Sequence, residues 1–178
     1  LKQVSDTLLA PSNLSHQSLL NIFDVMSHRH IDYADLYFQL SQDESWVLED
    51  SIIKEGGFHI DRGVGVRAVS GEKTGFAYSD QINLASLQQC VEAVKGIAQI
   101  KEGNLISPQA FNAVNAVQRY AAINPLESLS KEKKIELLHL VDRTARAEDP
   151  RVTHVSVALS SIYEEAVSYT HLTLPTIC

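Results

Sequence analysis

The stretch Gly63-Val-Gly-Val-Arg-Ala-Val69, followed by Ser70-Gly-Glu-Lys-Thr74 and Gly75-Phe-Ala-Tyr78, decides the fold class. Val64, Val66 and Ala68 fall on one side of an extended chain and Gly63, Gly65 and Arg67 on the other, the two-residue period of a strand. Glycines along one side predict close approach by another backbone or a helix. Ser70 to Thr74 reads as a hairpin loop, with a glycine for an unusual φ among polar residues. The next residues return as a second strand.

Working outward, the same alternation precedes this hairpin. Leu36, Phe38 and Leu40 alternate with Asp35, Tyr37 and Gln39, and Trp46 and Leu48 with Val47 and Glu49. Asp50-Ser51 marks a turn, and Gly56-Gly57 suggests a bulge or bend before Phe58 and Ile60 resume the pattern. Residues 35–79 are thus expected to form four or five short strands in an antiparallel meander. Helices flank them. Residues 14–28 place Leu19, Ile22, Phe23 and Met26 on one face. Residues 84–100 do the same with Leu84, Leu87, Val91, Val94 and Ala98, behind Asn83 as N-cap. Gly103-Asn104 ends that helix. Ser130 caps a third, with Ile135, Leu138, Val141 and Ala145 expected inward and Lys131, Lys133, Glu136 and Arg143 outward. Asp149-Pro150 stops it, and Val155, Val157 and Leu159 then begin a strand. Grouped strands between helices indicate an α+β fold, an antiparallel meander flanked by helices and followed by the start of a second αβ unit.

Composition fits that picture. The chain has 178 residues, 44% hydrophobic and 21% charged, with 15 Lys+Arg against 22 Asp+Glu. This is enough chain for a core without disulfides or metals, and too ordinary a composition for disorder or a fibrous repeat. The net charge of −7 argues against nucleic acid as the main partner. No apolar run nears the roughly 20 residues that span a bilayer, and no secretory signal is visible, so a cytoplasmic protein with reduced Cys90 and Cys178 is expected. The chain opens on Leu1, not Met, and its first residue is expected not to be the native start.

Candidate chemistry is sparse. His28-Arg29-His30 with Asp32 is the best local metal candidate, since imidazole and carboxylate bind zinc. The two histidines lack helical i,i+4 spacing, so helix-end capping is the favoured reading. Asp43-Glu44 and Glu49-Asp50 could pair carboxylates for acid–base work, but at strand ends charges usually solvate turns. Ser70 to Gly75 lacks the spacing and the following helix of a phosphate loop, and no dinucleotide fingerprint or nucleophile elbow is present. Trp46, Tyr33, Tyr37 and Phe38 read as core or strand-pair aromatics. These residues supply no catalytic constellation.

The ordered blocks Asp32-Tyr-Ala-Asp-Leu-Tyr-Phe38, Glu44-Ser-Trp-Val-Leu-Glu-Asp50, Asp61-Arg-Gly-Val-Gly-Val-Arg67 and Ser70-Gly-Glu-Lys-Thr-Gly-Phe-Ala-Tyr78 resemble the N-terminal part of the TldD branch of the TldD/PmbA metallopeptidase family. The resemblance runs from about Val4 to about Ala166, weakest across residues 105–122. It implies a cytoplasmic zinc peptidase that cleaves short or unfolded peptides, paired with a paralogous PmbA/TldE subunit or with itself around an enclosed site. The family's zinc motif, His-Glu-x-x-x-His, lies beyond this region. His139 is followed by Leu140 and His154 by Val155, so no catalytic or metal residue carries over, and no zinc is expected on this stretch. Gly63, Gly65, Arg67, Gly71, Glu72, Thr74, Gly75 and Phe76 match the family signature and are expected to be structural or to shape the peptide chamber. A sheet edge could hold an extended peptide through main-chain hydrogen bonds. The alternative is a non-catalytic interaction module with the same fold.

The implied organisation is an N-terminal domain over 1–104, a linker or irregular segment over 105–124, and a truncated middle domain over 125–166. The tail 167–178, with no Asp, Glu, Lys or Arg, is read as non-native. A middle domain cut after one strand would leave Val155, Val157 and Leu159 as an exposed edge, and poor solubility is expected.

Overall fold

The computed structural model describes residues 6–27, 31–98 and 123–172. In chain order these form α1 (His16–Ser27), β1 (Tyr33–Glu49), β2 (Ile52–Ser70), β3 (Lys73–Ser79), α2 (Leu84–Ala98), α3 (Lys131–Glu148) and β4 (Ser156–Leu172). Single 3-10 turns lie at Ala10–Ser12 and Pro125–Glu127. The strands make one four-stranded sheet in the order β3-β2-β1-β4. The class is α+β, with an antiparallel sheet and flanking helices.

The expected four or five short strands between 35 and 79 are in fact three, two of them very long. β1 runs unbroken through the polar residues Ser41 to Ser45. There Gln42 accepts a 2.7 Å hydrogen bond from Asn124 Nδ2, and Glu44 pairs with Lys134, so polar side chains are satisfied inside the strand. Gly56-Gly57 makes no break in β2 either. A Cβ at Gly56 would stand 2.5 Å from Cζ3 of Trp46, so the missing side chain leaves room for the indole. The Asp50-Ser51 turn holds: both residues have positive φ, 46° and 65°, as a two-residue type I′ hairpin loop requires.

The chain divides into two compact units. The first comprises residues 1–40, 62–119 and 165–178. Its core gathers Leu19, Ile22, Phe23 and Met26 of α1, Leu36 and Phe38 of β1, Val64, Val66 and Ala68 of β2, and Leu87, Val91 and Val94 of α2. Where side chains are described these are the faces that the periodicity indicated, with one correction: Leu84 is 43% exposed; the Ala98 side chain lies outside the described residues. Leu84 sits in the first turn of α2, one turn before the buried stripe begins. Asn83 caps α2 through a 2.8 Å bond from Ser86 N to its Oδ1. Burying each large aliphatic or aromatic side chain contributes about 1.5–3 kcal/mol. β4 continues to Leu172 and brings Tyr169 into this core, edge-on to Phe38 at 6.0 Å and to His16 at 5.6 Å.

The second unit comprises residues 41–61 and 120–164. Ser130 caps α3, accepting from Lys133 N at 3.4 Å. The inward face differs from the expected one. Lys134, Leu138 and Asp142 are buried, while Val141 is exposed and Ile135 and Ala145 are half-buried. Leu138 stays at the centre of the buried face, and Lys134 and Asp142 are buried beside it because each has a partner on the β1–β2 hairpin. Val155 is buried and Val157 and Leu159 half-buried, so these apolar side chains are partly covered although β4 is an end strand of the sheet.

Candidate functional site

The signature residues gather on the face of the sheet that points away from the first unit's core. Antiparallel pairing sets Gly65 opposite Tyr78, Arg67 opposite Phe76 and Val69 opposite Thr74. Gly63, Gly65, Arg67, Thr74 and Phe76 therefore share one surface. Gly75 is buried and pairs with Ala68 on the core side. Gly71 and Glu72 form the β2–β3 loop, where Gly71 has φ of 58° and its N–H donates to Asp32 Oδ2 at 2.6 Å.

Each outward glycine has a steric reason. A Cβ at Gly63 would come within 2.8 Å of the Ser79 carbonyl oxygen. One at Gly65 would meet the Phe76 ring at 3.1 Å, and that ring in turn stacks with Tyr78 at 6.3 Å. An aromatic ring covering a strand glycine restores the packing that the glycine lacks. Beside them Arg67 makes a two-pronged contact with Asp35, Nε to Oδ1 at 3.1 Å and Nη2 to Oδ2, and lies over the Tyr33 ring at 5.3 Å. The Asp35 hydrogen bond and charge raise the Arg67 pKa. Burial, then the Asp35 hydrogen bond, raise that of the Tyr33 phenol. Tyr33, Asp35 and Tyr78 complete this surface and were not singled out as a group. The visible signal was their spacing: Tyr33 and Asp35 are two apart in β1, on the side opposite Ala34 and Leu36.

A second polar cluster lies within the second unit. Glu44 binds Lys134 and accepts from Trp46 Nε1 at 2.7 Å, and Lys134 also donates to the Leu126 carbonyl at 2.7 Å. Burial pushes the Glu44 carboxyl up, but the Lys134 and Trp46 hydrogen bonds outweigh it and the net shift is down. Lys131 Nζ sits 5.2 Å from the Trp46 ring centre. At the hairpin tip, Asp50 binds His154 Nδ1 at 2.8 Å, Arg146 Nη2 at 2.8 Å and Val155 N at 3.2 Å. Hydrogen bonds from His154, Val155 and Arg146 hold its pKa down at about 2. Asp142 is lowered by the Ser51 hydroxyl and by Arg146. The carboxylates weighed for acid–base work at 44 and 50 are therefore tied into structural pairs. His28, Arg29 and His30 lie outside the described residues. Among the described residues no three of His, Cys, Asp or Glu converge as a metal group, and no helix is long and apolar enough to cross a membrane.

Residues 34–98 match the family described as PmbA/TldA metallopeptidase domain 1. A Metalloprotease TldD homolog of Haemophilus influenzae is 84% identical over 167 residues, covering 94% of this chain and 35% of that protein. The chain belongs to the TldD/PmbA family. A TldD homolog of Buchnera aphidicola from Schizaphis graminum is 42% identical over 167 residues, covering 93% of this chain and 34% of its own length. The chain thus spans about a third of the length of these curated TldD relatives. Solved structures share the fold at low identity. A Thermotoga maritima protein described as a candidate modulator of a DNA gyrase superposes with a TM-score of 0.65 at 17% identity, over 89% of this chain and 35% of its own. TldE from Thermococcus kodakarensis gives 0.55 at 14%, over 85% and 34%.

Proposed function

We propose that this chain is the N-terminal part of a TldD-type zinc peptidase acting on short or unfolded peptides, and that its own residues supply scaffold, not chemistry. The observation that carries this reading is the 84% identity to a protein named a TldD metalloprotease homolog. The signature face of β2 and β3 would shape one wall of the peptide chamber, with Arg67 locked by Asp35 and Phe76 over Gly65 keeping it rigid. A paralogous TldE-type subunit in the cytoplasm is the proposed partner. Zinc would be held by residues outside this stretch, where it would activate water for peptide hydrolysis.

The test uses the full-length protein and an unfolded peptide substrate. Cleavage should stop with a zinc chelator and return with added zinc. Cleavage that persists in chelator would overturn the reading.

A further inference from the structure

α3 buries Lys134 and Asp142 on either side of Leu138 and leaves an aliphatic stripe exposed. Lys134, Leu138 and Asp142, at i, i+4 and i+8, face the β1–β2 hairpin. Leu137, Leu140 and Val141, at i, i+3 and i+4, are 42%, 51% and 44% exposed. Left to hydrophobicity alone, the helix would turn the aliphatic stripe inward. It is held otherwise by named partners: Lys134 on Glu44 and the Leu126 carbonyl, Asp142 on Ser51, Arg146 on Asp50. The neighbouring aliphatic stripe is therefore left facing outward.

We propose that the Leu137–Leu140–Val141 stripe is a docking seam for the remaining polypeptide of the full-length protein, an inference that rests on the chain being part of a longer TldD-type protein. Two observations select that occupant. The curated relatives and the solved structures all place this chain at 33–36% of a full length, so about twice as much polypeptide awaits a surface to pack on. The stripe is also small. Three aliphatic side chains on one helix fall far short of the roughly 800 Å² per partner that a stable interface with a second copy needs. A tethered segment does not bear the full entropic cost of association and can use a small seam.

The experiment places single cysteines on α3 of the full-length protein, as Leu140→Cys in the seam and Arg143→Cys on a different exposed face, and follows maleimide labelling of the native protein. Leu140→Cys should label at least about tenfold more slowly than Arg143→Cys, at every protein concentration. Equal labelling rates would sink the seam. Protection that disappears on dilution would overturn the intramolecular assignment in favour of a second copy. Chelator-sensitive peptide cleavage by the same wild-type preparation, measured alongside, separates the two ideas: activity with an unprotected Leu140→Cys removes only the seam. A reading frame that stops at residue 178 removes both.

Discussion

At Gly63 the obstacle to a side chain is a carbonyl oxygen of the main chain, which cannot swing away; at Gly65 it is the edge of a phenyl ring, which can tilt. The two glycines of one motif therefore differ in what they tolerate. Gly63→Ala should destabilise by about 2–3 kcal/mol and Gly65→Ala by about 1 kcal/mol or less, the range for overpacking against rigid and yielding neighbours. Gly56→Ala falls between them, because the displaced group is the Trp46 indole. Urea melts of the three variants check the order, and only Gly56→Ala should also shift the native emission of Trp46, the chain's single Trp. If Gly65→Ala proves the costliest, the ring is not free to move and the account of Phe76 as a cover for Gly65 fails.

For whole elements, capping and period were legible while buried polar partners were not. Asn83 and Ser130 announce their helices because an N-cap is a local interaction, made to a backbone N–H three residues on. The alternation in β1 and β2 is likewise local, and it gave the right core faces for Leu36, Phe38, Val64 and Val66. The burial of Lys134 on α3 depends on Glu44, 90 positions away, and no periodicity contains that pairing. The signature face was half legible: its β2 and β3 residues stand in the motif, but the pairing of Arg67 with Asp35, 32 positions earlier, is not a local signal. Lys134 also gives a test of what orients α3. Both partners of the Lys134–Glu44 pair are about nine-tenths buried, so Lys134→Met strands a carboxylate away from water. The expected cost is about 3 kcal/mol in thermal or urea unfolding. Adding Glu44→Gln should recover most of it, since the buried charge is then gone. A double variant no more stable than the single one would show that the salt bridge is not what holds the helix face.

Over the whole molecule the two units differ in what they bury. The first has an aliphatic and aromatic core around Phe23 and Phe38. The second relies more on Glu44, Asp50 and Asp142, all with pKa values lowered by their hydrogen bonds to Lys134, His154 and Ser51. A carboxylate whose folded pKa lies below its unfolded value contributes stability that is fully present above the unfolded value, near 4, and is lost as pH falls through the folded one. For Asp50 that window runs down to about 2. Protonation therefore weakens the second unit between about pH 4 and pH 2, while apolar burial in the first is indifferent to pH. Two built-in probes separate the responses. Trp46 belongs to the second unit, and Cys90 is a buried thiol of the first. In a Cys178→Ser background, titration from pH 6 downward should red-shift Trp46 emission before Cys90 becomes reactive toward a disulfide reagent that works in acid. Sodium chloride should move the Trp46 midpoint upward, because screening weakens the half-exposed Asp50 pairs most. A single coincident transition for both probes would mean that the ionic pairs of the second unit carry no separate share of its stability, and that the fold comes apart as one cooperative body.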